Sequence, residues 1–181
     1  MALEDTSPLK LSVAVSACLL GESVRYDGRN KFEPRLVDRL RQHFVLVALC
    51  PEVEIGLGVP RKPIRLVKDT AGVRAHCGQE SRHDVTDLLD GYGRDVAVSN
   101  ADVCGYVLKA RSPSCGLGTT PLFDVNGQLI GKTNGIFANA ILATQKALPI
   151  ADEEQLQVDS FFNEYLANVT AYYVQKYGIR L

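Results

Sequence analysis

The stretch LSVAVSAC at residues 11–18 is a clear indication of the fold class, because it is a continuous run of small and β-branched apolar residues that ends in a cysteine. A second run, FVLVAL at residues 44–49, has the same character, and Cys50 follows it directly. Unbroken apolar runs of this length are typical of strands buried on both faces of a parallel sheet. A third short strand is predicted at residues 105–109 (GYVLK), shortly before Cys115.

Segments with helical periodicity alternate with these strands. We predict helices over residues 34–44, 86–100 and 134–147, and a closing helix that ends near Tyr177. We expect Thr86 to cap its helix and Leu88 to face the core, and we expect Phe161 of the closing helix to be buried as well. Gly178 suits the left-handed cap that ends many helices.

Turn signals predict two β-hairpins. Residues 64–76 and 121–130 each contain two apolar runs around a turn, and the second carries an Asn-Gly pair at residues 126–127, a strong hairpin signal. A last short strand at residues 149–151 precedes a capping box at residues 152–155. These patterns predict an α/β fold, with a mostly parallel, Rossmann-like sheet flanked by helices and small β-hairpin insertions.

The composition limits the class of protein. The chain has 181 residues, of which 46% are hydrophobic and 23% charged, and its formal net charge is -1. We expect one domain over residues 1–181, with residues 1–10 as a flexible N-terminal tail. Because the sequence has no membrane-length apolar run and no basic leader, we expect a cytoplasmic protein that does not bind membranes. The balanced charge argues against a surface for duplex nucleic acid, and the oligomeric state stays open.

Five cysteines require an explanation: Cys18, Cys50, Cys77, Cys104 and Cys115. Their number is odd and no CxxC pair is present, which argues against a disulfide framework, a zinc ribbon or a thioredoxin-like motif. Each one is therefore either a small buried hydrophobic residue or a ligand or nucleophile. Cys77 falls at the end of a predicted hairpin and Cys104 at the start of a strand, so we interpret both as structural.

Cys18, Cys50 and Cys115 differ from the other two because each follows a predicted strand. In open α/β sheets the carboxyl ends of parallel strands share one edge, and ligands bind there. We therefore expect these three thiols to meet in one crevice. The loop at residues 111–118 (RSPSCGLG) is a turn-rich segment whose backbone N–H groups would stabilise thiolates and sulfide clusters.

Three thiolates with an open fourth position suit a cubane iron–sulfur cluster. A structural zinc ion would need a fourth Cys or His ligand, and none of the three histidines follows a predicted strand. Glu52 lies two residues after Cys50 and is a candidate proton carrier. Two other classes stay open, namely a non-catalytic iron–sulfur or zinc-binding module that senses metal or redox state, and metal-free transfer with Cys50 or Cys115 as nucleophile.

Three motifs in this sequence together resemble one known family. They are SACLLGESVRYDG at residues 16–28, CPEVEIGLGVPRKPIRLV at residues 50–67 and LKARSPSCG at residues 108–116. The sequence is similar to the thiouracil desulfidases, a family whose members long carried an unknown-function label. DVT at residues 84–86 and the glycine-containing stretch at residues 134–135 extend the likeness. We expect a single-domain member of this family.

The resemblance implies a [4Fe-4S] cluster on Cys18, Cys50 and Cys115. It also implies that Glu52 and Ser112 are catalytic, with Glu52 activating water or carrying its proton and Ser112 bonding the substrate or the developing oxyanion.

We further expect Arg25, Arg61 and Ser114 to contact the substrate. The implied reaction removes sulfur from a thiolated pyrimidine, such as 2-thiouracil, and gives uracil and hydrogen sulfide without net electron transfer. Which thiopyrimidine or thionucleoside is the substrate stays open.

Overall fold

The computed structural model of the chain describes residues 11–78, 83–100 and 102–178. The strands, in chain order, are β1 (Leu11–Ser16), β2 (Phe44–Leu49), β3 (Ile64–Asp69), β4 (Gly72–Cys77), β5 (Val103–Leu108), β6 (Thr120–Asp124), β7 (Leu129–Thr133) and β8 (Ile150–Asp152). The helices are α1 (Pro34–His43), α2 (Pro51–Glu54), α3 (Thr86–Ser99), α4 (Ile136–Thr144) and α5 (Asp159–Tyr177), and 3-10 turns lie at Ala17–Leu20 and Gln155–Gln157. None of the helices in these ranges is long and apolar enough to span a bilayer. The N-terminal tail expected at residues 1–10 lies outside the described residues.

Four parallel strands form the first sheet, in the order β2-β1-β5-β8. The winding direction reverses at β1, because β2 lies on one side of it and β5 on the other. A reversal of this kind opens a crevice at the carboxyl ends of the strands. Helices α1 and α5 pack on one face of the sheet, and α3 and α4 pack on the other. The predicted α/β fold, a mostly parallel sheet flanked by helices, is confirmed.

The two predicted hairpins form a second sheet, in the order β4-β3-β6-β7. Strands β3 and β4 pair in antiparallel fashion, as do β6 and β7, but β3 also pairs with β6 in parallel. The hairpins were predictable from local turn signals, whereas the pairing that joins them connects distant segments without a local signature. This sheet packs on α3 through Leu66, Ala75 and Leu89.

The start of α3 differs from the prediction that Thr86 is its N-cap. Thr86 is already the first helical residue, and the Asp84 carboxylate accepts hydrogen bonds from its N–H at 2.8 Å and from its hydroxyl at 2.6 Å. The Thr86 hydroxyl oxygen in turn accepts the N–H of Ala75 at 2.7 Å. Val85 is therefore the N-cap residue, the Asp84 carboxylate accepts the first helical N–H, and Thr86 ties the helix to β4.

Two predicted end signals are confirmed. Gly178 ends α5 in the left-handed conformation, with φ of 65°. The capping box is also formed, because Gln155 N–H donates to the Asp152 carboxylate at 2.8 Å and Asp152 N–H donates to the Gln155 side chain at 3.0 Å. The box lies at the start of the 3-10 turn Gln155–Gln157, and α5 begins after this turn, at Asp159.

Three apolar side chains expected in the core are instead exposed. Leu88 is 55% exposed and Phe161 53%, because the adjacent residues of α3 and α5, Leu89 and Phe162, fill the core positions. Val45 on β2 is 50% exposed. Since β2 is the edge strand of its sheet, the helices that cover β1 and β5 leave part of it open, and burial on both faces was wrong for this strand.

The loop after β5 rests on the start of α4. The N–H groups of Gly135 and Ala138 donate to the carbonyls of Gly116 and Ser114 at 2.8 and 3.0 Å. A Cβ atom on Gly135 would lie only 2.4 Å from the main-chain carbon and oxygen of Ser114. The two backbones can therefore approach this closely only because residue 135 has no side chain.

Replacing Gly135 with alanine is expected to lower the free energy of unfolding by about 1–3 kcal/mol, the usual cost of overpacking. The added methyl group would meet main-chain atoms of Ser114, which cannot rotate away. Denaturant titration followed by circular dichroism measures the effect. Gly91→Ala is the matched control, because nothing lies within 4 Å of a Cβ there, and alanine in this helix should add about 0.5–1 kcal/mol. Equal stability of the two variants would contradict the close approach.

Candidate metal centre and active site

The three predicted cysteine ligands each follow a different strand of the parallel sheet. Cys18 lies in the 3-10 turn after β1, Cys50 separates β2 from α2, and Cys115 lies in the loop after β5. All three line one cavity of about 340 Å³. The structure thus brings together three thiols that are far apart in sequence, at the sheet edge where the strand order reverses.

These thiols are shielded from water and hard to ionise. Cys18 and Cys115 are 9% and 4% exposed, and Cys50 is half-buried. Burial raises the pKa of Cys18 to about 11, and the neighbouring Cys50 adds to this rise. Burial also raises the pKa values of Cys50 and Cys115. Thiolates at these positions need a positive partner, and a bound metal centre supplies one.

Cationic side chains dominate the wall of the cavity. Glu52 is the one carboxylate among the described residues that line it, whereas five lining residues are cationic: Arg25, Lys31, Arg61, Lys109 and Arg111. A concave surface with this excess of positive charge attracts anionic groups. The cavity therefore favours thiolates and other anionic groups over cations that carry no anionic ligands of their own.

The carboxylate of Glu52 is held from both sides. Arg61 Nε donates to Oε2 at 2.8 Å, Arg61 Nη2 lies 2.8 Å from the same oxygen as an ion-pair contact, and the Ser114 hydroxyl donates to Oε1 at 2.9 Å. The Arg61 side chain is 6% exposed and that of Glu52 is 13% exposed. Because Oε1 accepts one hydrogen bond, it keeps a lone pair free to accept a proton.

Arg61 and Ser114 therefore have a partner that the sequence did not indicate. We expected both to contact the substrate, and the structure places both on Glu52. Ser114 is fully buried and is not among the residues that line the cavity. Arg61 does line it, so a substrate contact stays a prediction for both residues, with the geometry more favourable for Arg61.

Ser112 organises the loop that carries Cys115. Its hydroxyl oxygen accepts the N–H groups of Ser114 at 3.2 Å and Cys115 at 3.1 Å. Ser112 also lines the cavity, and no acceptor for its hydroxyl proton is found among the described residues. The side chain thus fixes the turn with its oxygen while its proton stays available to a bound molecule.

Arg25 lines the cavity from the turn that ends at Gly28. Gly28 adopts a φ of 72°, which confirms the positive φ expected there. The Nε atom of Arg25 is buried, has no hydrogen-bond partner in the described part of the chain and lies 3.4 Å from the Asp27 carboxylate, an ion-pair contact. Because Arg25 lines the cavity, its guanidinium group is within reach of a ligand bound there.

Sequence reasoning missed the pair formed by Lys109 and Glu153. The Lys109 ammonium group contacts the Glu153 carboxylate, and Glu153 Oε2 accepts the N–H of Ala110 at 2.6 Å. Both residues follow strands, Lys109 after β5 and Glu153 after β8. The rule that marked the cysteines would have found them, had it been applied to every charged residue at a strand end.

Ser16 was missed as well. Its hydroxyl oxygen accepts the N–H of Lys109 at 3.0 Å. Ser16 also lowers the pKa of the Cys115 thiol, against the larger, opposite effect of burial. Polar groups close to a ligand sulfur are a common way for proteins to tune a metal site.

Arg111 adopts a backbone conformation that is unusual for its type. Its φ of 61° lies in the left-handed region, which non-glycine residues seldom occupy. Its N–H donates to the Thr119 hydroxyl at 2.9 Å, and its guanidinium group pairs with Glu154. These contacts hold the start of the loop that leads to Cys115.

The remaining cysteines and the histidines lie elsewhere. Cys104 is buried beneath α5, near Tyr165, and Cys77 points its thiol at the carbonyl of Lys62 at 3.3 Å. Neither lines the cavity, and none of the three histidines does so. The structural interpretation of Cys77 and Cys104 is therefore consistent with their positions.

The residues present fit an iron–sulfur cluster. Soft sulfur donors of this kind hold such clusters, and the three strand-end thiols share one cavity. In the described ranges, no three His, Cys, Asp or Glu side chains are placed to share one metal ion. A cubane sets a different requirement, because each thiolate binds its own iron atom.

The chain is similar to known proteins over most of its length. One match is the "Uncharacterized protein YbbK" of Bacillus subtilis (strain 168), which is 30% identical over 151 residues, 80% of this chain and 97% of that protein. Among solved structures, the chain is similar to the [4Fe-4S]-dependent thiouracil desulfidase TudS. The TM-score is 0.65 and the sequence identity 29%, covering 86% of this chain and 99% of that one.

A family match covers the same region as the site. The sequence model described as 2-thiouracil desulfurase matches residues 13–153. This range contains all three strand-end cysteines together with Glu52 and Ser112. Because the match spans well over half of the chain, this protein belongs to the 2-thiouracil desulfurase family.

Proposed function

We propose that this chain is a [4Fe-4S]-dependent desulfidase that converts a thiolated pyrimidine, such as 2-thiouracil, to uracil and hydrogen sulfide without net electron transfer. The observation that carries the proposal is that three thiols from separate strand ends line one cavity with Glu52 and Ser112. Membership of the family and the likeness to a solved [4Fe-4S]-dependent thiouracil desulfidase support it.

Cys18, Cys50 and Cys115 would hold the cluster. When bound, it supplies a Lewis-acidic iron with affinity for the exocyclic sulfur of the substrate, which weakens the C–S bond. The three cysteines take up the protein side of the cluster, and the rest of the cavity is left for the pyrimidine.

Glu52 is the proton carrier in this proposal. Arg61 and Ser114 fix its carboxylate in one orientation, so that a free lone pair can accept a proton from a water molecule that attacks the substrate carbon. A carboxylate that is positioned beforehand loses little conformational entropy when it acts. The same group can return the proton to the departing sulfur.

Ser112 and Arg25 act on the pyrimidine. The Ser112 hydroxyl proton is free to donate to an oxygen or nitrogen of the ring as negative charge develops there. The guanidinium group of Arg25, which also lines the cavity, offers a second donor. Together they would hold the ring so that its sulfur faces the three cysteines.

We also propose that the protein works in the cytoplasm. All five cysteines are free in the structure, and free thiols persist in compartments that are kept reducing.

Cys18→Ala, Cys50→Ala and Cys115→Ala are each expected to abolish cluster binding and sulfide release, because each removes one of three ligands. The measurement is iron per chain and sulfide released from 2-thiouracil, after reconstitution without oxygen. Cys104→Ala is the control, since this thiol is buried outside the cavity, and it should retain both. A strand-end variant that keeps iron and rate would remove that residue from the site.

Iron uptake by the unaltered protein without sulfide release from any thiopyrimidine would contradict the enzymatic proposal. It would instead favour a module that senses metal or redox state. Activity of iron-free protein would favour metal-free chemistry with a cysteine nucleophile.

Glu52→Gln is expected to keep the cluster and to lower the rate by about 10²–10⁴-fold, the usual contribution of a general acid–base group. Ser114→Ala removes one restraint on this carboxylate and should lower the rate by about tenfold at unchanged iron content. Anaerobic sulfide-release kinetics with parallel iron analysis measure both. Loss of iron from Glu52→Gln would show that Glu52 is structural.

A further inference from the structure

A buried ion pair lies beside the three thiols and has no role in the reaction described above. Lys109 lines the cavity, and its ammonium group pairs with the carboxylate of Glu153. The ammonium also donates to the Ala110 carbonyl at 3.2 Å. The two side chains are 14% and 5% exposed, so both charges are largely removed from water.

Burial of such a pair is unfavourable in free energy. Removing two charges from water costs several kcal/mol per ion, and a pair of apolar residues is often equally stable in the same place. A buried pair is therefore weak evidence for stability by itself. Its position next to the cavity makes a role in the site the more direct explanation.

Lys109 shares the cavity with all three thiols. Its side chain lines the same cavity as Cys18, Cys50 and Cys115, whereas its partner Glu153 is not among the lining residues. The positive member of the ion pair is therefore the one that faces the cavity.

Main-chain and side-chain hydrogen bonds fix Lys109 at the wall of the cavity. Its N–H donates to the Ser16 hydroxyl oxygen at 3.0 Å, and Ser16 lines the cavity together with Cys115. Glu153 completes the restraint by bonding both the Lys109 ammonium and the N–H of Ala110. The ammonium group is thus held in place from its backbone and from its tip.

We propose that Lys109, held by Glu153, is the counter-charge for the cluster-bound thiolates and sets the reduction potential of the cluster. This inference rests on the proposed function, because it requires a cluster on the three cysteines. Net charge and burial around a cluster control its potential, and a nearby positive charge stabilises the reduced, more negative state. For an enzyme that transfers no net electrons, the same charge offsets the negative charge that a sulfur ligand brings.

The test compares midpoint potentials of the reconstituted, full-length protein and its variants, followed by optical and spin-resonance spectra under anaerobic titration. Lys109→Gln is expected to make the potential more negative, and Glu153→Gln is expected to make it less negative. Lys109→Arg keeps the charge and should stay close to the unaltered protein. Lys31→Gln is the matched control, because Lys31 lines the same cavity but is exposed, so solvent screens its charge and the shift should be smaller.

Opposite shifts for the two partners distinguish a counter-charge from a structural pair, because general loosening of the site would move both variants in the same direction. Shifts of equal sign, unchanged potentials, or a Lys31→Gln effect as large as that of Lys109→Gln would overturn the inference. If Lys109→Gln takes up no cluster, the sign of the Glu153→Gln shift decides.

The two proposals can fail separately. Unaltered protein that binds no iron overturns the proposed function. A normal cluster whose midpoint potential is unchanged in both the Lys109→Gln and the Glu153→Gln variant overturns this inference alone.

Discussion

Parallel pairing of β1 with both β2 and β5 is the constraint on which the site depends. The register sets Ser16 opposite Leu49, and Val15 opposite Val107, so the three strands end almost level with one another. Residues just beyond these ends then share one edge, although the chain between them makes long excursions. A slip of one residue in either pairing would turn the adjoining segment to the other face of the sheet and separate the thiols.

The charges around this edge explain why so many cations gather there. The three thiols resist ionisation, because burial raises all three pKa values and neighbouring cysteines add to the rise at Cys18 and Cys115. Arginine and lysine side chains that line the same cavity supply the opposite charge. Glu52 is already paired with one of them, Arg61, and also accepts a hydrogen bond from Ser114, so its negative charge is balanced.

Local sequence patterns were enough to predict the strands, both hairpins and the helices α1, α3, α4 and α5, because periodicity and turn residues act over short distances, but they did not predict the short helix α2. Convergence of Cys18, Cys50 and Cys115 was also predictable, since parallel strand ends follow a general topological rule. The hydrogen-bond partners of the side chains were not predictable. The bonds of Arg61 and Ser114 to Glu52 depend on the parallel joining of β3 to β6 and on the seating of a loop upon α4, and neither has a local signal. Exposure of Val45 was missed for a related reason, because an apolar run does not reveal whether its strand lies at an edge.

The left-handed arginine at position 111 shows how the rim of the sheet is closed. A non-glycine residue in this conformation costs about 1–2 kcal/mol, and glycine would avoid that cost. The arginine side chain pairs with Glu154, and the preceding residue, Glu153, pairs with Lys109. Two consecutive glutamates after β8 therefore form ion pairs with two residues after β5. The outermost strand of the parallel sheet, β8, is only three residues long, so few ladder hydrogen bonds hold it to β5. The two ion pairs add side-chain contacts between the ends of these strands.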